Sequence, residues 1–409
     1  MLKLLIENTL VKVVGMEKGY KILGNYIRLV DERNRDLAVT KLLGVSISKK
    51  FIPSIANIVG TDLSNYKIVR TGQFAYGPVT SRNGEKISIA YLDEEECIIS
   101  SSYTVFEVEN KEELDPEYLM LWFSRPEFDR YARYKSHGSV REIFDWNELC
   151  MVELPVPDIE KQRKIVKAYK TITDRIALKQ KINDNLVACI DTIFNEQFGN
   201  FKALAESSTA NTDFSSLPDG WTIENAVHSF DISIGKTPPR SEPEWFTSNQ
   251  TDNVWISIAD MKTNSPFIFK SAEYLTNEAV KKHNVKIVPA NSVLLSFKMT
   301  VGRVAIVTNE VTTNEAIAHF PCTKENLFFV YCYLKNFNYG YLGSTSSITT
   351  AINSKIIKEM PFLMPSKKEL DLFNHKVSGL FEQLKYISKE LDILEELSKM
   401  LLPQLLGHC

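Results

Sequence analysis

The sequence lacks the features that identify most secreted, membrane and metal-binding proteins. Its cysteines are few for 409 residues, six in all, and no two form a C-x-x-C pair, which fits a reducing compartment and argues against a zinc ribbon. It has no run of 18 apolar residues, so no membrane span is predicted. The N-terminus, with its early Glu7, is a poor signal peptide. We therefore expect a cytoplasmic protein.

Catalytic motifs are missing as well. There is no G-x-G-x-x-G, no G-x-x-x-x-G-K-[ST] and no H-E-x-x-H, and the six histidines have no metal-ligand spacing. The Asn-Pro-Pro-Tyr or Asp-Pro-Pro-Tyr loop of amino-methyltransferases is also absent. Asp158, Glu160 and Lys161 look faintly like a nuclease cluster, but they lie at a predicted helix N-terminus, where free amides favour acidic residues. We expect no catalytic residue, no metal and no cofactor bound by this chain.

An excess of positive charge is the third absence. The chain has 48 Lys and Arg against 51 Asp and Glu, a net charge of −3. Nucleic-acid-binding domains usually carry a basic surface. A nucleic-acid site here must therefore be a local patch, or a partner must supply the charge. The length predicts two or three domains, and the hydrophobic fraction of 44% is typical of a globular protein.

One long stretch is present, and it occurs twice. In the first copy an extended, proline-bounded segment (154–157) leads into a helical pattern that Asp158 can cap. In the second copy, where Pro365 aligns with Pro157, a Ser366–Glu369 capping box stands in the same place. The apolar positions are Ile165, Tyr169, Ile172, Ile176, Leu186, Ile190 and Ile193 in the first copy, and Phe373, Val377, Leu380, Leu384, Ile387, Leu391, Leu394 and Leu401 in the second.

Two long helices with apolar seams predict a coiled-coil pair, each about 60 Å long at 1.5 Å per residue. The alternative is two unrelated amphipathic helices, each packed on its own domain. Lys179 and Asn183 interrupt the first seam. Polar seam positions usually fix register or partner choice at some loss of stability, so we expect them to align the pair.

The repeat covers whole halves, and the predicted class is α+β with an internal repeat. Strands are predicted at 41–48, 66–69, 86–91, 97–108, 254–258, 292–297 and 303–308. Short helices are predicted at Pro116, where Asp115 can cap, at Pro126 and at 327–334. The predicted domains are a lead-in and first mixed α/β domain (1–156), a long helix (157–200), a linker (201–217), a second mixed domain (218–364) and a second long helix (365–409).

Four stretches (70–84, 130–141, 235–241 and 296–303) combine side-chain donors, aromatic rings and glycines in a way suited to reading DNA, where Arg fits guanine and Gln fits adenine. Any one of them could be a solvated polar loop, but their matched placement in both halves favours binding. The residues predicted to contact DNA are Arg70, Gln73, Tyr76, Ser81, Arg82, Asn83, Arg133, Lys135, His137, Ser139, Arg141, Lys236, Thr237, Arg240, Lys298, Thr300, Arg303, Thr345 and Ser346.

As an ordered set, several motifs resemble the specificity (S) subunits of Type I restriction–modification systems. They cover nearly the whole chain, although Lys367-Lys368-Glu369-Leu370 departs from the Glu-Gln pair common in that family, and the first domain has no clear Gly-x-Thr-Pro. The motifs are Leu154-Pro155-Val156-Pro157 with Glu160-Lys161-Gln162 and Ile165, Leu217-Pro218-Asp219-Gly220-Trp221 with Gly235-Lys236-Thr237-Pro238, and Gly343-Ser344-Thr345 with Ile348, Pro361 and Pro365.

This resemblance implies two target recognition domains, each reading one half of an asymmetric, bipartite site in double-stranded DNA. It implies that the long helices pack antiparallel as a coiled-coil spacer, in a pseudo-two-fold arrangement, and dock two methyltransferase subunits. Those partners would bind S-adenosylmethionine and methylate adenine, and a restriction subunit using ATP and Mg could join. The chain itself would be non-catalytic.

Two other functions stay open. The chain could be an interaction scaffold, with two protein-binding modules on a coiled coil. Neighbouring genes for a methyltransferase and a helicase–nuclease would favour the DNA-reading function over this one. An intrinsic methyltransferase or nuclease is disfavoured by the missing loops, and methyl transfer by the purified chain alone would revive it.

Overall fold

The computed structural model describes residues 19–54, 60–81, 83–138, 141–207, 214–215, 217–262, 265–342 and 352–406. The chain divides into two compact units, and both mix helices with sheets. The first unit comprises residues 1–175 and 394–409, and the second comprises residues 176–393. Among the described residues, no helix is long and apolar enough to cross a membrane.

The first unit is built on short antiparallel strands. They are β1 (Tyr20–Ile22), β2 (Ile27–Val30), β3 (Leu43–Val45), β4 (Phe51–Pro53), β5 (Lys67–Val69), β6 (Phe74–Tyr76), β7 (Ile89–Tyr91), β8 (Cys97–Ile99), β9 (Thr104–Val108) and β10 (Glu153–Pro155). The main sheet has the order β2-β9-β6-β7, and β1–β10, β3–β4 and β5–β8 form pairs. The single strand predicted over 97–108 is wrong, because a turn in which the Tyr103 amide bonds to the Ser100 carbonyl divides it.

Three short helices and the start of a long one complete this unit. They are α1 (Pro116–Phe123), α2 (Pro126–Tyr134), α3 (Trp146–Cys150) and α4 (Ile159–Glu206). The predicted cap of α1 is confirmed, because the Asp115 carboxylate accepts hydrogen bonds from the Glu117 and Tyr118 amides and Pro116 occupies the first turn. Helix α4 runs on to Glu206, so its last residues lie in the range predicted as linker.

The second unit carries a five-stranded and a four-stranded sheet. Its strands are β11 (Thr222–Asn225), β12 (Ser233–Ile234), β13 (Phe246–Thr247), β14 (Asn253–Ile256), β15 (Phe267–Ile268), β16 (Glu273–Leu275), β17 (Ser292–Ser296), β18 (Val304–Val307), β19 (Thr312–Thr313), β20 (Ile317–Pro321) and β21 (Pro361–Met364). Its further helices are α5 (Ala226–Ser229), α6 (Asn277–Lys282), α7 (Leu327–Asn336), α8 (Ser354–Glu359) and α9 (Lys367–Leu406). The sheet orders are β12-β20-β17-β18-β15 and β13-β16-β14-β19, and β11 pairs with β21.

The two units repeat one topology. The antiparallel order β2-β9-β6-β7 in the first matches β12-β20-β17-β18 in the second, and the β1–β10 pair matches β11–β21. Strands β6 and β17 therefore occupy the same place in this order. The predicted α+β class with an internal repeat is therefore confirmed. The second unit adds β15 and a four-stranded sheet.

The two long helices are antiparallel. In the second unit Gln197 of α4 donates a hydrogen bond to Glu369 of α9 (3.0 Å), and Lys179 forms an ion pair with Glu390 (2.8 Å), so partner numbers fall along α9 as they rise along α4. In the first unit the Ser398 hydroxyl donates to the Tyr169 hydroxyl. The polar seam residue Lys179 is thus matched by a carboxylate on the opposite helix, an arrangement that favours one register.

Each long helix is fixed at its first turn. The Asp158 carboxylate accepts a hydrogen bond from the Lys161 amide (2.9 Å), which confirms the predicted cap. Gln162 is fully buried, and its amide group makes three hydrogen bonds to main-chain groups, those of Glu113, Asp115 and Pro157, at 2.8–2.9 Å. Leu370 stands at the aligned position of the second copy, where the sequence departs from the Glu-Gln pair. Its apolar side chain cannot make such hydrogen bonds, and it lies instead in an apolar cluster.

Replacing Gln162 by Leu should therefore destabilise the first unit. The side chain would still fill the space, but one amide and two carbonyls would lose buried partners, and we expect a loss of roughly 2–4 kcal/mol in the free energy of unfolding. Urea unfolding measures it. Gln180→Leu, at an exposed position of the same helix, should change stability by less than about 0.5 kcal/mol. Equal effects of the two changes would contradict this role of Gln162.

Candidate nucleic-acid interface

Two of the predicted binding stretches meet in the first unit. The loop that follows β6 bridges Val79 to Ile143, and the Thr80 amide bonds to the Glu142 carbonyl (2.9 Å). The Thr80 hydroxyl also donates to the Ser136 hydroxyl (2.9 Å). These bonds hold the chain just before Ser81 and Asn83 against the segment that carries Arg133, Lys135, His137 and Arg141. We call this convergence of residues 77–81, 83–84, 133–138 and 141–144 the first corner.

Most cations of the first corner already have acidic partners. Arg133 forms an ion pair with Glu142, and Glu148 lies 3.6 Å from Lys135 and 4.0 Å from the ring of His137. Arg141 is exposed and has no ion pair within the part of the chain that the structure describes. Among these candidates Arg141 is therefore the cation most available to a phosphate.

Arg70 and Gln73 lie in a network internal to the unit. The Arg70 guanidinium bonds to Glu32 (3.1 Å) and to Glu96, and the hydrogen bond with Glu32 raises the pKa of Arg70 above its usual value. Gln73 is buried, accepts a hydrogen bond from the Arg70 amide (2.8 Å) and donates to Glu107 (2.9 Å). Both side chains therefore support the loop in this structure.

Tyr76 is a core residue. Its side chain has no exposed surface, and its ring packs edge-on against Phe106 and Phe144. Burial raises the pKa of its hydroxyl well above the usual value. A base could reach Tyr76 only if the core opened, so we assign the residue to packing beneath the first corner.

In the second unit the loop after β12 presents Arg240 on an aromatic platform. The guanidinium lies 4.0 Å from the ring centre of Phe246 and 4.8 Å from that of Trp255. It makes two hydrogen bonds to Glu273 (2.6 and 2.8 Å), which lower the pKa of that carboxylate. Thr237 donates a hydrogen bond to Glu315. Lys236 is exposed without an ion pair among the described residues, so this loop presents a guanidinium held by its neighbours and an unpaired amine.

A buried histidine braces this loop from below. The ring nitrogens of His319 lie 2.9 Å from the Ser233 hydroxyl and 2.7 Å from the Thr313 hydroxyl. A side chain at Gly235 would overlap Thr313 and the next residue, so only glycine allows this close approach. Burial lowers the pKa of His319 to about 4, and the ring is neutral at physiological pH.

The remaining candidates lie on the hairpin between β17 and β18. Lys298 and Thr300 are exposed at its tip, and Arg303 donates a hydrogen bond to the Ile258 carbonyl (2.7 Å). A side chain at Gly302 would contact the Tyr339 ring, so the hairpin lies against the segment before α8. In the first unit, the loop after β6 lies in the same way against the segment before α3. Four candidates lie outside the described residues: Arg82, Ser139, Thr345 and Ser346.

The family model for the Type I restriction modification DNA specificity domain matches residues 49–188 and 229–399, more than half of the chain. The chain belongs to this family. The Type I restriction enzyme HindI specificity subunit of Haemophilus influenzae is 23% identical, over 89% of this chain and 92% of its own length. The MjaIX specificity subunit of Methanocaldococcus jannaschii is 23% identical, over 71% of this chain and 68% of its own length.

A solved structure shares the fold. The crystal structure of the Type-I restriction-modification system S subunit from M. genitalium matches 97% of this chain and 98% of its own chain, with a TM-score of 0.56 and 14% identity. At that identity the likeness concerns the fold alone. It agrees with the two repeated domains and the two long helices.

A lysine cluster at the end of α6 was missed from the sequence. Lys281, Lys282 and Lys286 are all exposed, and none has an acidic partner among the described residues. The amine of Lys282 lies 4.3 Å from the ring centre of Trp245, which belongs to the same apolar cluster as Trp255 beneath Arg240. The signal in the sequence is three lysines within six residues.

The buried ring of His319 predicts a pH dependence of stability. An unfolded chain binds a proton near pH 6.5, whereas folded His319 does so only near pH 4. The unfolded state therefore gains protons first as the pH falls, and stability should drop by up to about 3 kcal/mol between pH 6.5 and 4, with no change above that window. Urea unfolding at pH 7 and pH 5 measures the slope.

The control separates this residue from the other histidines. His319→Gln should lower stability at pH 7 but flatten its fall toward pH 5, because the amide does not titrate. His228→Gln, at an exposed position, should leave the slope unchanged. If the stability of His319→Gln falls as steeply toward pH 5 as that of the original chain, His319 is not the source of the pH dependence.

Proposed function

We propose that this chain reads an asymmetric, bipartite site in double-stranded DNA, one half with each domain, and directs adenine methylation and restriction by partner subunits. The observation that carries the proposal is the repeat of one sheet order with two different surfaces. The first corner offers Arg133, His137 and Arg141, whereas the second unit offers Arg240 on an aromatic platform. Two domains with the same sheet order and different exposed side chains can each recognise a different half-site.

In this proposal the chain is non-catalytic. Methyltransferase subunits hold S-adenosylmethionine and transfer the methyl group, and restriction subunits use ATP and Mg. The described residues include no group of three or more His, Cys, Asp or Glu that could hold a metal ion. The net charge of −3 supports a division of labour in which partners neutralise many of the phosphates.

The lysine cluster gives this proposal an electrostatic test. Replacing Lys281, Lys282 and Lys286 together by Gln should weaken binding of the assembled methyltransferase complex to all DNA sequences alike. The slope of log affinity against log salt should fall by roughly 2–3, since each phosphate contact contributes about 0.9. Fluorescence anisotropy at several salt concentrations measures both quantities.

Replacing the same lysines by Arg retains the charge and should retain the slope. The methylated sequence should be the same in all three proteins, because phosphate contacts carry no sequence information. A Gln variant with an unaltered salt slope would remove this cluster from the interface.

A domain exchange tests the reading itself. Residues 218–364 are replaced by the corresponding segment of another member of the family, an exchange that keeps β11 and β21 together in one piece. Sequencing the modified DNA of the host should show one half of the methylated site changed and the other half retained. If the complex assembles and neither half changes, the assignment of one half-site to each domain fails.

A further inference from the structure

The hairpin between β17 and β18 is closed by a compact set of hydrogen bonds. The Ser296 hydroxyl donates to the Thr300 carbonyl (2.6 Å) and accepts from the Arg303 amide (3.0 Å). The Gly302 amide bonds to the Ser296 carbonyl (2.9 Å), and Gly302 has a φ of +90°. These bonds fix the path of residues 297–303, so that the side chains at the tip project from a defined backbone.

Met299 lies at the tip of the hairpin, and both its exposure to water and its backbone conformation are unfavourable for a methionine. Its side chain is 99% exposed, which leaves the whole thioether chain in water. Its φ is +57°, in the left-handed region that disfavours residues other than Gly, Asn and Asp. No residue of the unit that the structure describes covers this side chain. A flexible, polarizable apolar group held outward on a strained backbone suits insertion into a partner surface.

The neighbours of Met299 indicate which partner. Lys298 and Thr300 are exposed on either side of it, and the amine of Lys298 lies 5.7 Å from the ring centre of Phe297. Val301 is exposed as well, although less than Met299 (38% against 99%), and the acidic Glu315 near Lys298 is engaged by Thr237. One apolar side chain between a cation and a hydroxyl matches a DNA groove, where phosphates flank a stack of bases. A protein interface would instead need a broad patch.

We propose that Met299 is an apolar wedge that enters the base stack of the half-site read by the second domain, with Lys298 and Thr300 on the adjacent phosphates. Wedges of this kind separate two base pairs and kink the duplex. Pyrimidine–purine steps open most readily, so the wedge selects such a step without a hydrogen bond to any base. The inference rests on the proposed function and deepens it by naming a residue and a mode of readout.

Met299→Asn and Met299→Leu test the wedge in the assembled methyltransferase complex. Asn tolerates the left-handed backbone, so that variant should melt at the same or a higher temperature than the original chain while lacking the apolar wedge. Its affinity for the methylated site should fall by about tenfold or more, the loss typical of one mismatched base pair. Leu keeps the apolar chain and should retain most of the affinity.

Fluorescent 2-aminopurine reports the unstacking directly. Duplexes carry it in place of each adenine of the second half-site in turn, on either strand and apart from the methylated adenine, as that half-site is defined by sequencing the modified host DNA. With the original chain and with Met299→Leu, fluorescence should rise on binding at one step, and with Met299→Asn the rise should disappear. Val301→Ala, at the same hairpin, should keep the rise.

The outcomes separate the wedge from the proposed function. A complex that methylates a bipartite site, but raises fluorescence at no position or keeps the rise in Met299→Asn, overturns the wedge and leaves DNA reading intact. Loss of subunit assembly in Met299→Asn without DNA, seen by size-exclusion chromatography, would mean that Met299 docks a protein, and this also overturns it. A complex that recognises no bipartite site overturns both.

Discussion

The junction between each domain and its long helix is the constraint on which the rest of the structure depends. Strand β10 pairs with β1 directly before α4, and β21 pairs with β11 directly before α9. A tyrosine hydroxyl secures each junction, Tyr118 to the Pro155 carbonyl (3.0 Å) and Tyr333 to the Pro361 carbonyl (2.9 Å). Because the opening and closing strands of a domain are tied together, the helix leaves its own domain in a fixed direction.

The two copies reach this geometry with different chemistry. At the first helix start, Gln162 satisfies three main-chain groups in a buried site. At the second, Leu370 joins an apolar cluster in which Phe329 and Phe373 both pack against Phe198. The hydrogen bonds to Gln162 each fix the position of one main-chain group, so the polar site specifies a single arrangement. An apolar cluster depends on the fit between side-chain shapes and tolerates small displacements of the helix. The repeat therefore conserves the position of the helix and not the interaction that holds it.

The sequence was most informative where interactions are local. The caps at Asp115 and Asp158 and the helix seams follow from spacing, because each involves residues within a few positions of one another. It was least informative about which side of a strand faces the core. Gln73, which directly precedes β6, and Tyr76 within it combine residue types found in DNA-reading loops, yet β6 is an inner strand and both are buried. The partners of Arg70 lie 38 and 26 positions away, a distance over which spacing predicts nothing.

The pairing of arginines with carboxylates limits how this chain can bind DNA. Arg70, Arg133 and Arg240 each bind a carboxylate of the same unit, so their positive charge is largely cancelled before DNA arrives. Phosphate contacts raise affinity for every sequence, whereas base contacts and deformation separate one sequence from another. Because these three guanidinium groups are compensated, they add little non-specific affinity, and more of the binding energy at these loops must come from groups that discriminate. In the proposed function, the partner subunits supply affinity for any DNA sequence, and this nearly neutral chain supplies the discrimination between sequences.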